Sequence, residues 1–364
     1  IGAQMRFLNR MIGAILSCCV VAFAGFSGLA QAAASLKQPE PSGSVGVQTI
    51  MTNNAMRSDP VAVSIWYPAD KAGATTMIGG NAVFDGVSVI PDAGFANGKF
   101  PAVLIAHGGM RSAPHLSDWI AHDLAMAGYV AIVVRPPKIA PDRAGDAVAE
   151  IWLRPQDYVA TLVSVKGDAR FNDRIDPDRI GFLGFQLGGT SALMLAGARL
   201  DPNAFAASCD TGGTGIDCGW FGKNGIDLHK VDAAATAQDH HNIDLATVIA
   251  VDPELTTSFD RQTLGAIILP ICVINLGKPG DIHPGLDASA LAQIIPDARY
   301  QTIDAASRFS AFATCTPKAV MILREDGDDG AICMDGGDVN RVDIHADLAA
   351  RITAALQHGF APTN

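Results

Sequence analysis

The sequence predicts an α/β protein with a mostly parallel, doubly wound sheet and helices on both of its faces. Three observations lead there. Short, continuous apolar runs alternate with stretches of helical periodicity, the pattern of parallel strands joined by covering helices. A glycine-bracketed step, Gly184-Phe185-Gln186-Leu187-Gly188, joins one such run to a helix. Polar residues fall directly after several of the apolar runs, where doubly wound sheets carry their sites.

After a Pro/Ser/Gly-rich linker (residues 33–47), Val61–Tyr67 alternates like a half-buried strand. Ala102–Ala106 is apolar throughout, as a central parallel strand should be. Pro114–Ala127 has helical spacing and stops at Gly128. Val130–Val134 is the next buried strand and Ala149–Val163 the next helix. Arg179–Leu183 then feeds the glycine step, and Thr190–Leu200 reads as the helix beyond it. Residues 201–244 break the rhythm: they are polar and glycine-rich, and are expected as an excursion over the carboxyl edge of the sheet. Strands resume at Ala246–Val251, Ile271–Ile274 and Tyr300–Ile303. A last amphipathic helix carries Ile344, Leu348, Ile352 and Leu356 at i, i+4 spacing. No internal repeat is visible.

Composition bounds the function. The 364 residues are 49% hydrophobic and 17% charged, a globular balance that excludes a largely disordered chain. A net charge of −11 argues against nucleic acid and against anionic membrane surfaces as partners. Residues 1–32 read as a signal peptide, with residues 1–4 upstream of a start at Met5. Arg6 and Arg10 precede the apolar stretch Ile12–Leu29, and Ala30-Gln31-Ala32 is the cleavage site. An uncleaved signal is the one expected membrane contact. The mature chain is thus expected to be periplasmic or extracellular, with residues 48–364 as its single domain. In that compartment Cys209–Cys218 and Cys315–Cys333 are each expected to close a local disulfide, while Cys272 lies in an apolar strand as an inert thiol. The cysteine and histidine spacings of zinc sites are absent, and no metal or cofactor is expected.

The chemistry centres on the glycine step. A sharp strand-to-helix turn of this form normally lifts a serine above the sheet, but its apex here is Gln186. A carboxamide has no proton that a base can usefully remove. The run Ala102–Ala106 ends in His107-Gly108-Gly109, a loop able to turn N–H groups toward the site. The N–H of Leu187 supplies the other half of an oxyanion-type cradle. Val251-Asp252-Pro253 and Ser307-Arg308-Phe309 mark two further strand ends.

These pieces in this order resemble the secreted dienelactone-hydrolase-like branch of the α/β-hydrolases, related to platelet-activating-factor acetylhydrolases. The resemblance runs from about Gln48 to Phe360. It rests on Ile65-Trp66-Tyr67-Pro68, His107-Gly108-Gly109, Trp152-Leu153-Arg154-Pro155-Gln156-Asp157, and Gly184-Phe185-Gln186-Leu187-Gly188-Gly189. It continues through Val251-Asp252-Pro253 and Arg308-Phe309-Ser310-Ala311-Phe312 ahead of Cys315. It implies an α/β-hydrolase fold and carboxylic-ester hydrolysis. It places the family's serine on Gln186, its acid on Asp252 and its histidine on Arg308. Asp281, after Ile271–Ile274, is an alternative acid. Arginine stays protonated and cannot serve as a general base. Serine-hydrolase chemistry is therefore not expected, and a small carbonyl or carboxylate ligand is. An ion pair between Asp252 and Arg308, with the Gln186 amide beside it, is expected to fill the vacated triad. The competing reading is an ester or lactone hydrolase using a non-standard site such as Asp281–His283 or His107.

Other reactive residues have plainer readings. Thr190 and Ser191 are expected as core-facing helix hydroxyls. His240-His241 is expected in a solvated loop, and His345 as a surface or packing residue on the last helix. The acidic run Glu325–Asp329 lacks the residue order of a calcium loop.

Overall fold

A computed structural model describes residues 43–70, 73–106, 108–109, 114–137, 139–242, 244–327 and 330–361. The expected signal peptide and most of the expected linker lie outside the described residues, as do His107 and Met110. Ten strands form the sheet: β1 (Val45–Thr52), β2 (Val61–Pro68), β3 (Thr76–Ile78), β4 (Val87–Pro91), β5 (Phe100–Ala106), β6 (Val130–Arg135), β7 (Ile175–Phe185), β8 (Thr247–Val251), β9 (Ile271–Leu276) and β10 (Arg299–Ile303). The α-helices are α1 (Asp118–Met126), α2 (Glu150–Gly167), α3 (Leu187–Leu195), α4 (Pro202–Ala207), α5 (Cys218–Lys223), α6 (Ala233–Thr236), α7 (Arg261–Leu264), α8 (Ser289–Ile294), α9 (Ala319–Glu325) and α10 (Arg341–Gly359).

The strand order is β10-β9-β8-β7-β5-β6-β2-β1-β4-β3. The six strands from β10 to β6 pair in parallel. Beyond them β2 runs antiparallel to β6 and β1, β1 pairs in parallel with β4, and β3 closes the edge antiparallel to β4. The parallel strands have residues for both faces. In β5, Ala102, Leu104 and Ala106 pack toward α2 and α3, while Val103 and Ile105 pack toward α1 and α10. That two-sided burial is why these segments read as unbroken apolar runs rather than alternating ones.

On α10, the expected stripe Ile344, Leu348, Ile352 and Leu356 is buried, each side chain contributing about 1.5–3 kcal/mol. The strand at Val61–Pro68 is buried almost throughout, not half-buried, because Val61, Val63, Ile65 and Tyr67 join the core cluster that contains Ile151 and Tyr158 of α2, while Trp66 joins the one that contains Ile120 and Leu124 of α1. The sheet also starts earlier than expected: β1 takes in Val45 to Val47, which the sequence reading gave to the linker.

Candidate site at the carboxyl ends of the strands

β7 ends at Phe185, and α3 begins two residues later at Leu187. A turn that tight is possible because of two contacts. A Cβ on Gly184 would overlap the carbonyl of Gly188, and a Cβ on Gly188 would overlap the carbonyl of Ala106. The glycines therefore serve close approach rather than unusual dihedrals. The unusual dihedrals belong to Gln186, at φ 52° and ψ −121°. A non-glycine residue held there stores about 1–3 kcal/mol of strain. Backbone bonds hold it in place. Its N–H donates to Val251 O at 2.9 Å, and its carbonyl accepts from Thr190 N at 3.1 Å and Glu254 N at 3.3 Å. The side-chain Nε2 donates over a long 3.4 Å to the carbonyl of Arg308. Leu187 opens α3, where a helix leaves its first N–H groups without an intrahelical acceptor.

Asp252 follows β8 with φ 44° and is 1% exposed. Its Oδ1 accepts from Asn275 Nδ2 and from Leu276 N, each at 2.8 Å. Its Oδ2 has no hydrogen-bond partner among the described residues. Burial pushes the carboxyl up to about 7, opposed by those two hydrogen bonds and by the charge of Arg308. Asn275 is itself locked, donating to Leu286 O at 2.8 Å and accepting from Ala288 N at 2.9 Å and Tyr300 Oη at 3.1 Å. The sequence reading passed over this residue. An asparagine inside the apolar run Ile271–Leu276 was the signal for it.

The expected Asp252–Arg308 ion pair does not form. Arg308 is exposed, and its guanidinium lies over the ring of Phe309, 4.5 Å from the centroid. Gln186 meets the backbone of Arg308, not its side chain. Desolvation explains the difference: a guanidinium stacked on a ring at the surface keeps its water, whereas pairing beside Asp252 would bury it.

Gly108 and Gly109 are held from behind by Arg154, which is 1% exposed. Its Nη1 donates to Gly108 O at 3.1 Å and its Nη2 to Gly109 O at 2.9 Å. Its Nε donates to Glu150 Oε2 at 3.0 Å. Glu150 also receives Arg57 at 2.8 and 3.0 Å, and Arg57 forks onto Asp157, to which Asn54 donates at 2.8 Å. The Trp152–Asp157 segment thus ties the loop after β5 to the loop after β1.

These strand ends surround a pocket of about 380 Å³. Gln186, Gly108, Gly109 and Arg308 line it, with apolar walls from Phe84, Leu116, Leu286, Phe309, Phe312 and Ile332. The excursion over the carboxyl edge contributes Ile216 and Asp217. Both expected disulfides are formed, with Cα–Cα distances of 5.2 Å for Cys209–Cys218 and 5.8 Å for Cys315–Cys333. The first braces the segment bearing Ile216 and Asp217. The second joins the segments bearing Phe312 and Ile332. Cys272 is buried and free, its thiol pushed up to about 11 by desolvation.

One pocket residue was not anticipated. Glu254, two positions after Asp252, is 6% exposed and faces the cavity. Burial, then Asp217, push its carboxyl up to about 8, against the pull of Arg154 and Arg308. Asp281 and His283 line a separate neighbouring hollow of about 630 Å³, which shares Leu286 and Arg308 with the first but not Gln186. Thr190 and Ser191 are core hydroxyls, bonded to Glu254 O at 2.6 Å and Leu187 O at 3.1 Å. His345 packs flat on Trp119, ring centroids 3.6 Å apart, with its Nε2 2.9 Å from Ser310 O and from Phe312 O. His240 departs from its expected solvated loop: it is buried, 3.2 Å from Gln156 Nε2, and desolvation lowers it to about 4.

No family model matches the chain. A probable 2-oxo-3-(5-oxofuran-2-ylidene)propanoate lactonase from Bradyrhizobium sp. is 32% identical over 104 residues, 27% of this chain. The match spans 42% of that lactonase, less than half its length. Among solved structures, a ferulic acid esterase from Streptomyces cinnamoneus superposes with a TM-score of 0.58 at 16% identity, over 86% of this chain and 89% of that one. A dienelactone hydrolase from Anabaena variabilis gives 0.41 at 13% identity, over 77% and 94%. The chain has the α/β-hydrolase fold that the sequence resemblance implied.

Proposed function

We propose that this chain is an exported, dienelactone-hydrolase-like protein that binds a small carbonyl or carboxylate compound at its strand ends and does not act as a serine hydrolase. One observation carries the reading. The apex of the elbow, in its strained conformation, presents the Gln186 carboxamide, while Asp252 Oδ2 has no partner among the described residues and Arg308 lies on Phe309. Neither a nucleophile nor a proton acceptor for one stands at the positions the fold provides. Loss of a triad serine or histidine costs roughly 10⁶-fold in turnover, so loss of both removes useful activity. Export is supported by the signal-type sequence of residues 1–32 and by two disulfides, which persist in oxidising compartments.

The names of the lactonase and esterase neighbours favour a second reading, an ester or lactone hydrolase with a non-standard site. Hydrolysis of p-nitrophenyl acetate separates the two. The wild type should show no turnover above buffer and no labelling by a fluorophosphonate. Turnover that disappears in Gln186→Ala would establish the second reading instead. The double reversion Gln186→Ser with Arg308→His should create esterase activity, because Asp252 Oδ2 is open to accept from an imidazole.

A further inference from the structure

Glu254 has no role in the triad and no hydrogen bond or ion pair from its carboxyl to any described residue. It is 6% exposed, and its remaining exposure is to the pocket. Its Oε1 lies 3.2 Å from where a Cβ on Gly109 would stand, so the carboxyl rests against the oxyanion-type loop. The residue is fixed at both ends of its backbone: its N–H donates to Gln186 O, and its carbonyl accepts from Thr190 Oγ1 at 2.6 Å. An unpaired carboxyl buried this deeply is costly to fold around unless something occupies the cavity beside it.

The pocket's polar side chains are two donors, Gln186 Nε2 and the Arg308 guanidinium, and two acids, Asp217 and Glu254. Gln186 Nε2 spends its hydrogen on a long 3.4 Å bond that a better acceptor would displace. Arg308 stands at the mouth, and the remaining walls, among them Phe84 and Phe312, are apolar. With Asp217 already supplying a carboxylate to this pocket, a second carboxyl at Glu254 is most useful as a donor. Building on the binding reading above, we propose that Glu254 is the recognition acid of this pocket: its neutral carboxyl donates an O–H hydrogen bond to the carbonyl or carboxylate oxygen of an apolar ligand. Neutral carboxylic acids held in apolar sites serve elsewhere as oxyanion donors at pH 7.

The charged groups acting on Glu254 are Asp217 and Asp252, which favour the proton, and Arg154 and Arg308, which oppose it. Asp252 itself titrates near pH 7, so the test compares variants rather than reading one profile alone. The probes are trans-cinnamate and its methyl ester, neither of which titrates between pH 6.5 and 9.5, and calorimetry gives their affinities. With Glu254 ionising near pH 8, wild-type binding should weaken about thirtyfold between pH 6.5 and 9.5. Glu254→Gln keeps a neutral donor, so it should bind within a few-fold of wild type at pH 6.5 and lose this fall. Glu254→Leu should lose about ten- to hundredfold at pH 6.5. It replaces an unpaired carboxyl with an apolar group and should fold at least as well, as a thermal melt checks.

Wild-type binding that is flat to pH 9.5 and unmoved in Glu254→Leu would overturn the proposal and leave the binding reading standing. Affinity that rises with pH would also overturn it, since binding would then not depend on the Glu254 proton. Binding of neither probe would remove both.

Discussion

Replacing Arg154 tests whether the loop after β5 is held from behind by a buried cation. Arg154→Met keeps the length and much of the volume of the side chain but removes every donor. The Gly108 and Gly109 carbonyls then lose partners at 3.1 and 2.9 Å, and Glu150 keeps Arg57 as its counter-charge. Removing one member of a buried ion pair costs about 3–5 kcal/mol, and an unsatisfied buried carbonyl about 1–3 kcal/mol. The retained Arg57–Glu150 pair and water reaching the loop carbonyls from the pocket offset part of the sum, so a loss of about 3–5 kcal/mol is expected. Equilibrium unfolding in guanidinium at pH 7 measures it. Arg154→Lys keeps the charge but cannot spread donors over Gly108, Gly109 and Glu150 together, and should recover less than half of the loss. Ligand affinity should fall in both variants, because the loop that carries Gly109 forms a wall of the pocket. A loss under about 1 kcal/mol for Arg154→Met, or full recovery by Arg154→Lys, would refute the anchoring role.

Two further outcomes follow from the same geometry. Replacing Cys315 and Cys333 together by serine should cost about 3 kcal/mol of stability, the constraint of a loop with an 18-residue separation, and should weaken ligand binding because Phe312 and Ile332 flank the bridge; unfolding and calorimetry of the double variant check both. Asp252 and Glu254 hold their protons more tightly folded than unfolded, with pKa values raised to about 7 and about 8, so between roughly pH 4.5 and 8 the folded state binds more protons and stability falls as pH rises, levelling off above 8. Glu254→Gln removes its share of that slope, so its stability relative to wild type should grow by more than about 1 kcal/mol between pH 5 and pH 9; a constant difference across that range would contradict the buried-acid assignment.

The central strands were legible because burial on both faces leaves almost no room for polar residues, as in Ala102–Ala106 and Val130–Val134. The antiparallel edge was not: β3 has three residues, and β1 mixes polar and apolar positions along a partly exposed face. The helix after the elbow starts at Leu187, not Thr190. Gly188 and Gly189 are poor helix formers, yet they are needed where that helix crosses Ala106 and Pro253. It ends at Leu195 rather than Leu200, because Gly197 adopts φ 111°. At the site, positions fixed by chain order were legible: Gln186 between β7 and α3, Asp252 directly after β8, Gly108 and Gly109 after β5, and both disulfides. Residues whose meaning depends on what surrounds them were not. Glu254 is an ordinary acid in sequence and becomes unusual through burial beside Asp217. The fate of Arg308 turned on the competition between pairing with Asp252 and stacking on Phe309, which residue types alone do not decide.

Nothing that builds the elbow depends on the residue type at its apex. Gly184 and Gly188 permit the close crossing, the β7–β8 ladder holds the Gln186 N–H on Val251 O, and α3 captures its carbonyl through Thr190 N. A strained apex therefore says nothing by itself about the chemistry at the site. The buried acids are different. Neither the sheet nor the helices need Asp252 Oδ2 or the Glu254 carboxyl, and leaving both unpaired lowers stability at neutral pH. An apolar residue would relieve that cost at position 254, but at position 252 it would deprive Asn275 Nδ2 and Leu276 N of the acceptor Asp252 Oδ1. A Glu254 carboxyl with no partner among the described residues, set against Gly109 between walls braced by two disulfides and the Arg154 network, is the arrangement that the proposed ligand would stabilise.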